Sequence, residues 1–408
     1  MKWIRRGLHT NFLYKLGQIG VSIGMNGYNK EAVLYSLKET EKAFTGNKPV
    51  IWCSTFVPPE LIYSLDAVPF MPEVAAGFSA TVGLADSILS LAEKEWLSSD
   101  LCSIHRCGTA LMRENLLPEP DMIIAATHLC DGAKKYLQNI SRGYDCPYYL
   151  LETPYFKEDR YQLAADIKEL VNKLGGNNID FRDVFTLSNK AYSYHQKVNK
   201  LRKSIPAPFF GEKALNYVPM EFMSFGSGGG VKFYKELAGT LQEKVNNSEG
   251  VVPEEKYRLL WLHLKPYYPQ NIFRTLRKAG AVIAFEEYSQ LYWSPLDPEK
   301  PYLSLARKMI DHFGWGPLSD QLQALLQLID EYDIDGVIGF SHWGCRQSSG
   351  RMNLIKKKLK ERGIPFLNID GDLIDSRNYR EGQLITRLEA YLEMIEAQKG
   401  EDYADCWY

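Results

Sequence analysis

Short apolar runs alternate along the chain with longer stretches of helical period. Val50 to Cys53, Val68 to Phe70, Met122 to Ala126 and Tyr148 to Leu151 are compact apolar segments, the pattern of strands buried on both faces. Between them Glu60 to Leu65, Leu84 to Trp96, Thr109 to Asn115 and Ala133 to Ile140 repeat apolar positions at helical spacing, and a further helix is predicted over Lys30 to Phe44. Strands that alternate with helices imply a parallel sheet. Two long, polar-faced helices follow at Asp159 to Leu174 and Asp183 to Leu201, the second ending before Pro206 and Pro208. The alternation then resumes, with strands near Leu259 to Leu262, Ala281 to Phe285, Gly336 to Phe340 and Phe366 to Ile369. Helices are expected at Ile272 to Lys278, Ser304 to His312, Ser319 to Tyr332, Asn353 to Arg362 and Gln383 to Glu396.

The expected fold class is therefore α/β, with two doubly wound parallel-sheet domains of Rossmann or flavodoxin-like type. The division expected is an N-terminal helical segment at 1–47, a first α/β domain at 48–158, a helical connection at 159–210 and a second α/β domain at 211–408. A chain of 408 residues is long enough for such a division. With 48 basic and 50 acidic side chains it has no electrostatic footprint for nucleic acid. The lysine run at Lys356 to Lys360 reads as the solvated face of a helix. No stretch is long and apolar enough to cross a bilayer, and Met1 to Leu16 lacks the apolar run of a signal peptide. Seven cysteines, an odd number without framework spacing, point to a reducing, cytoplasmic setting.

Three of those cysteines share a context. Cys102, Cys130 and Cys345 each stand where one element ends and a helix is about to open, and Cys130 and Cys345 follow the apolar runs Met122 to Ala126 and Gly336 to Phe340. In open α/β sheets such loops form the crevice where ligands gather. Three thiolates there suit an iron-sulfur cluster that leaves one iron open. The plainer reading is that each cysteine fills a core, and no CxxC pair of a zinc ribbon or ferredoxin is present. The glycine run Phe225 to Gly230 lacks the Lys-Ser/Thr of a P-loop and reads as a flexible turn or helix start, with anion binding by its amides, for example toward a CoA phosphate, left open.

Several segments together carry a family likeness: Trp52-Cys53-Ser54-Thr55-Phe56-Val57-Pro58-Pro59-Glu60-Leu61, Met71-Pro72-Glu73 with Ala75-Ala76-Gly77, Cys130-Asp131-Gly132-Ala133-Lys134-Lys135, Gly363 to Asp372, and Gln383 to Ala390. From about Lys48 onward the chain resembles the 2-hydroxyacyl-CoA dehydratase and benzoyl-CoA reductase family. The resemblance implies that Cys102, Cys130 and Cys345 hold one 4Fe-4S cluster between the two sheets. It further implies that a hydroxyl just after the first strand and a glutamate after the second, here Thr55 and Glu73, work beside the open iron. The chain departs from the family pattern in carrying threonine where serine is known, and in having one residue fewer between Glu73 and the Ala75-Ala76-Gly77 segment. For Thr55 a strand-end cap is the plainer alternative.

On the same resemblance the substrate is an acyl-CoA thioester, and water leaves a 2-hydroxyacyl group by a radical, ketyl-type elimination. A separate ATP-hydrolysing iron-sulfur activator supplies one electron, and the chain pairs with a homologous second subunit or with itself. A benzoyl-CoA reductase-like subunit and a non-catalytic electron-relay partner are the alternatives. His105, His128 and His342 lie near the cysteines in sequence and are candidates to donate hydrogen bonds to cluster sulfur. Cys53 and Cys146 are expected in the core, Cys406 near a polar terminus, and Cys107 is a candidate to approach the cluster.

Overall fold

The computed structural model describes residues 27–94, 97–175 and 179–405. Helix α1 (Gly27–Thr45) leads into β1 (Val50–Cys53), α2 (Pro59–Ser64), β2 (Val68–Phe70), α3 (Pro72–Thr81), α4 (Ala85–Lys94), α5 (Ser103–Arg113), β3 (Met122–Ala126), α6 (Asp131–Tyr144) and β4 (Tyr148–Leu151). Helices α7 (Arg160–Lys173), α8 (Arg182–Leu201), α9 (Val218–Met223) and α10 (Gly228–Asn246) come next. The second alternation runs β5 (Tyr257–Leu262), α11 (Ile272–Lys278), β6 (Ala281–Glu286), α12 (Pro301–Ile310), α13 (Leu318–Glu331), β7 (Gly336–His342), α14 (Arg346–Glu361), β8 (Phe366–Gly371) and α15 (Glu381–Asp405).

The strands form two four-stranded parallel sheets, ordered β2-β1-β3-β4 and β6-β5-β7-β8. Each therefore has the same winding, with the strand order reversing between its first and third strands. A repeated detail sets the start of both central pairs. Asp121, one residue before β3, accepts from the Val50 amide at 2.8 Å, and Asp335, one residue before β7, accepts from the Arg258 amide at 2.7 Å.

Period two divides β1 between cores. Val50 and Trp52 face a core that also takes in Leu259 and Trp261 of the second sheet, whereas Ile51 and Cys53 face a core closed by helices α2, α7, α8, α10 and α12. The other face of the second sheet is covered by α13 and α14. Helix α7 packs on α12 and β4, and α8 packs on α10, so the long polar-faced helices expected from periodicity form and serve as a layer. Burying both faces of every central strand explains why these runs are apolar throughout.

Sequence periodicity placed the strands well and several helices poorly: α14 begins at Arg346, not Asn353, and α9 and the body of α10 were not predicted. Helix α5 begins at Ser103, not near Thr109, and α3 was not anticipated. The glycine run proves to be a helix start: Ser227 caps α10 by accepting from Gly230 N at 3.1 Å, and its hydroxyl meets that of Tyr35 at 2.8 Å. A side chain at Gly229 would collide with the Tyr35 ring. Part of that helix end is thus taken up by Ser227 and Tyr35 of the protein itself.

Arg202, at the end of α8, ties this layer to the second sheet. Its guanidinium donates to both carboxylate oxygens of Glu286, at the end of β6, at 2.7 and 2.6 Å, and both side chains are buried. Replacing Arg202 with Met should destabilise the fold by about 3–5 kcal/mol, because Glu286 would keep a buried charge without its partner. Equilibrium denaturation in urea reads this directly. No helix among the described residues is long and apolar enough to cross a membrane. Met1 to Leu16 and Cys406 lie outside the described residues.

Candidate functional site

The two switch points carry the same turn. After β3 the chain runs Thr127, His128, Leu129 and Cys130; after β7 it runs Trp343, Gly344 and Cys345. Leu129 and Gly344 both take left-handed backbone, with φ of 54° and 77°. Cys130 (φ −110°, ψ 97°) and Cys345 (φ −102°, ψ 95°) then occupy the N-cap positions of α6 and α14 in nearly identical conformations. Cys102 is the N-cap of α5. None of the three forms a side-chain cap bond by strict geometry, though the first amides of α5 and α6 lie close enough to the Cys102 and Cys130 sulfurs to favour their thiolates. A left-handed leucine is a costly conformation of the kind that gathers at functional sites.

Cys102 belongs to the first half of the chain but is held against the second. A Cβ on Gly344 would come within 2.7 Å of the Cys102 amide nitrogen. Next to it, Ser103 donates to Asp372 at 2.6 Å, and the buried Arg106 lies 3.5 Å from Asp375. Asp372 is fixed in turn by the amides of Ile374 and Asp375, both at 2.9 Å. Gly344→Ala should therefore cost about 1–3 kcal/mol from backbone strain alone, with the collision added. Gly350→Ala, where open space surrounds the position within α14, should be neutral or slightly stabilising. Paired denaturation curves separate the two.

The three cysteines, Thr55 and Glu73 line one cavity of about 660 Å³ between the sheets. Burial raises the Cys102 thiol well above its usual range, with the charges of Cys130 and Cys345 adding to the effect. Cys130 is pushed up to about 12, by burial first and then by Cys345. The sulfurs are thus near enough to oppose one another's ionisation. Cation binding would relieve that opposition and release protons. Among the described residues no group of three or more His, Cys, Asp or Glu side chains is arranged around a single ion. A cubane differs from a single ion in presenting a separate iron to each cysteine, so its ligands need not converge on one point. The donor set of three thiols around one cavity fits such a cluster.

Two histidines support the sulfurs. His342 Nε2 lies 3.3 Å from Cys102 Sγ, while its Nδ1 accepts from the Leu373 amide at 3.2 Å. An Nδ1 that accepts leaves the proton on Nε2, which makes His342 a donor to sulfur. His105 Nε2 is 3.9 Å from Cys130 Sγ, its ring stacked on Tyr136, and it fits there because residue 132 is glycine. Burial lowers both imidazoles from their ordinary range, His105 to about 4. His128 does not join them: it stacks on Trp315, packs against Phe56, and neither ring nitrogen has a hydrogen-bond partner among the described residues.

Glu73 sits at the second position of α3, after Pro72. Its Oε2 is shut from solvent with no hydrogen-bond partner among the described residues, and burial pushes its carboxyl up to about 7. Thr55 follows β1. The strand-end cap is made by its neighbour instead, Ser54 Oγ accepting from the Ala126 amide at 2.9 Å, which leaves Thr55 facing the cavity. Cys107 turns the other way, to Ser79 Oγ at 3.3 Å in the buried core, and does not line the cavity. Cys53 is buried and Cys146 packs partly buried against the core. His263, Tyr267 and Tyr288 also line the cavity and were not anticipated. The signal for His263 was present, since it follows the apolar run of β5 as Ser54 follows β1.

The family model described as HGD-D, 2-hydroxyglutaryl-CoA dehydratase, D-component, matches residues 54–395, which takes in Thr55, Glu73, Cys102, Cys130 and Cys345. The chain belongs to this family. It is an enzyme of the dehydratase family. It is similar to the (R)-phenyllactyl-CoA dehydratase alpha subunit of Clostridium sporogenes, 24% identical over 370 residues that cover 85% of this chain and 90% of the relative. It is likewise similar to the B subunit of the Thauera aromatica benzoyl-CoA reductase, 25% identical over 391 residues covering 85% and 89%. The alpha subunit of the (R)-2-hydroxyglutaryl-CoA dehydratase of Acidaminococcus fermentans is 23% identical over 350 residues covering 80% and 70%.

Proposed function

We propose that this chain is the iron-sulfur subunit of a 2-hydroxyacyl-CoA dehydratase, which removes water from a 2-hydroxyacyl thioester after activation by one electron. The observation that carries this reading is the convergence of Cys102, Cys130 and Cys345, drawn from three helix starts, with Thr55 and Glu73 on one cavity. Cys102, Cys130 and Cys345 would hold the cluster. Once bound, a 4Fe-4S cluster with three cysteine ligands supplies an exchangeable electron and one iron open to substrate.

The chain's own groups then have distinct work. The largely apolar wall excludes water, which strengthens every polar contact inside it. His342 directs its Nε2 proton at the Cys102 sulfur and steadies that side chain. Glu73 has a carboxyl poised near neutrality, so it is suited to give a proton to the departing 2-hydroxyl and to regain one lost from C3. The Thr55 hydroxyl orients the substrate beside it. The electron comes from a separate ATP-hydrolysing activator, and a homologous partner subunit completes the enzyme, in line with relatives that are themselves named as single subunits of larger enzymes.

The likeness to a benzoyl-CoA reductase favours a second reading, net reduction by the same electron source. One assay separates them. The anaerobic protein with activator, reductant and a panel of acyl-CoA thioesters should convert a 2-hydroxyacyl-CoA to its enoyl-CoA with a catalytic amount of reductant. Consumption of two electrons for each product, with no dehydration, would give the reductase reading instead.

A further inference from the structure

The cavity around Glu73 is lined by residues of α1, α3, α5, α9 and the loops after β1, β3, β5 and β7, and among the described lining residues there is no lysine and no arginine. Among the same residues Glu73 is the one carboxylate. The remainder is dominated by apolar and aromatic groups, among them Phe56, Tyr217, Met220, Phe222, Met223 and Tyr288. Of the cations around the cavity, Lys265 is not a lining residue and stands against the rings of Tyr267 and Phe273, 5.5 and 5.7 Å from their centroids, while Lys308 and Arg351 belong to adjoining pockets and are paired. Lys308 Nζ lies 2.7 Å from Glu60 Oε1, and the buried Arg351 is bonded to Glu287.

We infer that the acyl group accepted here has an uncharged, apolar side chain and that the cavity rejects an acyl group ending in a second carboxylate. This rests on the dehydratase reading for the reaction, though not for the binding. A carboxylate brought into the cavity would lose its hydration without gaining a cation. It would also share the enclosure with Glu73, and two acids in one low-dielectric space oppose each other's ionisation. An apolar chain meets neither penalty and gains the contact of Phe56 and Phe222, whose rings already pack edge to face with centroids 5.3 Å apart. A site made to take a terminal carboxylate would instead present a fork of donors, as arginine does.

Binding of unreactive thioesters to the anaerobic protein tests the inference without turnover. By calorimetry 4-methylpentanoyl-CoA should bind at least ~100-fold more tightly than glutaryl-CoA, the difference expected when a charge is buried without a partner. Met223→Lys should narrow or reverse that preference by placing a cation on the same wall. Glutaryl-CoA binding as tightly as the apolar thioester in the unaltered protein would overturn the inference, as would absence of saturable binding by either. The expected preference together with no dehydration of any 2-hydroxyacyl-CoA would leave the cavity inference standing and defeat the proposed reaction.

Discussion

Alanine in place of Cys102, Cys130 or Cys345, introduced one at a time, should abolish or sharply weaken the brown chromophore of the anaerobically purified protein. The unaltered chain should carry ~4 irons, the content of one cubane. Each sulfur stands at a helix start on the cavity wall. Losing one of three protein ligands leaves the cluster with too few anchors. Cys107→Ala serves as the control: its sulfur faces Ser79 in the core, so the cluster should survive, with at most a modest loss of stability. Full iron retention in any of the three variants would remove that cysteine from the ligand set. A reproducible content near ~8 irons would defeat the single-cubane reading altogether.

Turnover should fall by ~10²-fold or more in Glu73→Gln and in Thr55→Ala, the scale of lost acid-base help, while iron content stays unchanged. The two sit after neighbouring strands of the first sheet and share the cavity with the cysteines. The pH profile adds a signature that lost stability would not produce. Burial raises the Glu73 carboxyl to about 7, so its proton-donating form predominates below that point and is lost above it. An anionic cluster nearby would push the carboxyl further in the same direction. The unaltered enzyme should thus lose rate as pH rises through or above neutrality, and Glu73→Gln should lack that limb. Wild-type rates in both variants would move the chain toward an electron-relay role.

All eight strands were legible in the sequence, six of them because a strand buried on both faces must be apolar throughout, whereas the edge strands β4 and β8 are only partly buried and were legible from their short apolar starts. Helix α3 was missed because Pro72-Glu73 opens it immediately after β2, leaving no turn to announce it. The start of α5 was misplaced because its first turn, Ser103 to Arg106, is polar to the eye yet largely buried: Ser103 and Arg106 pair with Asp372 and Asp375, whose positions come from the other half of the chain. No local pattern announces a buried polar residue whose partner is distant in sequence.

The candidate site divides along the same line. The residues most open to sequence reading were Cys130 and Cys345, each at the end of an apolar run in the loop where α/β folds collect their ligands. The amino-acid sequence by itself determined the two parallel sheets and the family, since apolar periodicity and short motifs are local properties. Only the tertiary structure decided that Gly344 backs onto Cys102, that His342 rather than His128 reaches a sulfur, that Ser54 and not Thr55 makes the strand-end bond, and that no lysine or arginine enters the described cavity wall. Those outcomes depend on which surfaces of the two sheets meet, and that meeting is fixed by packing between residues far apart in the chain.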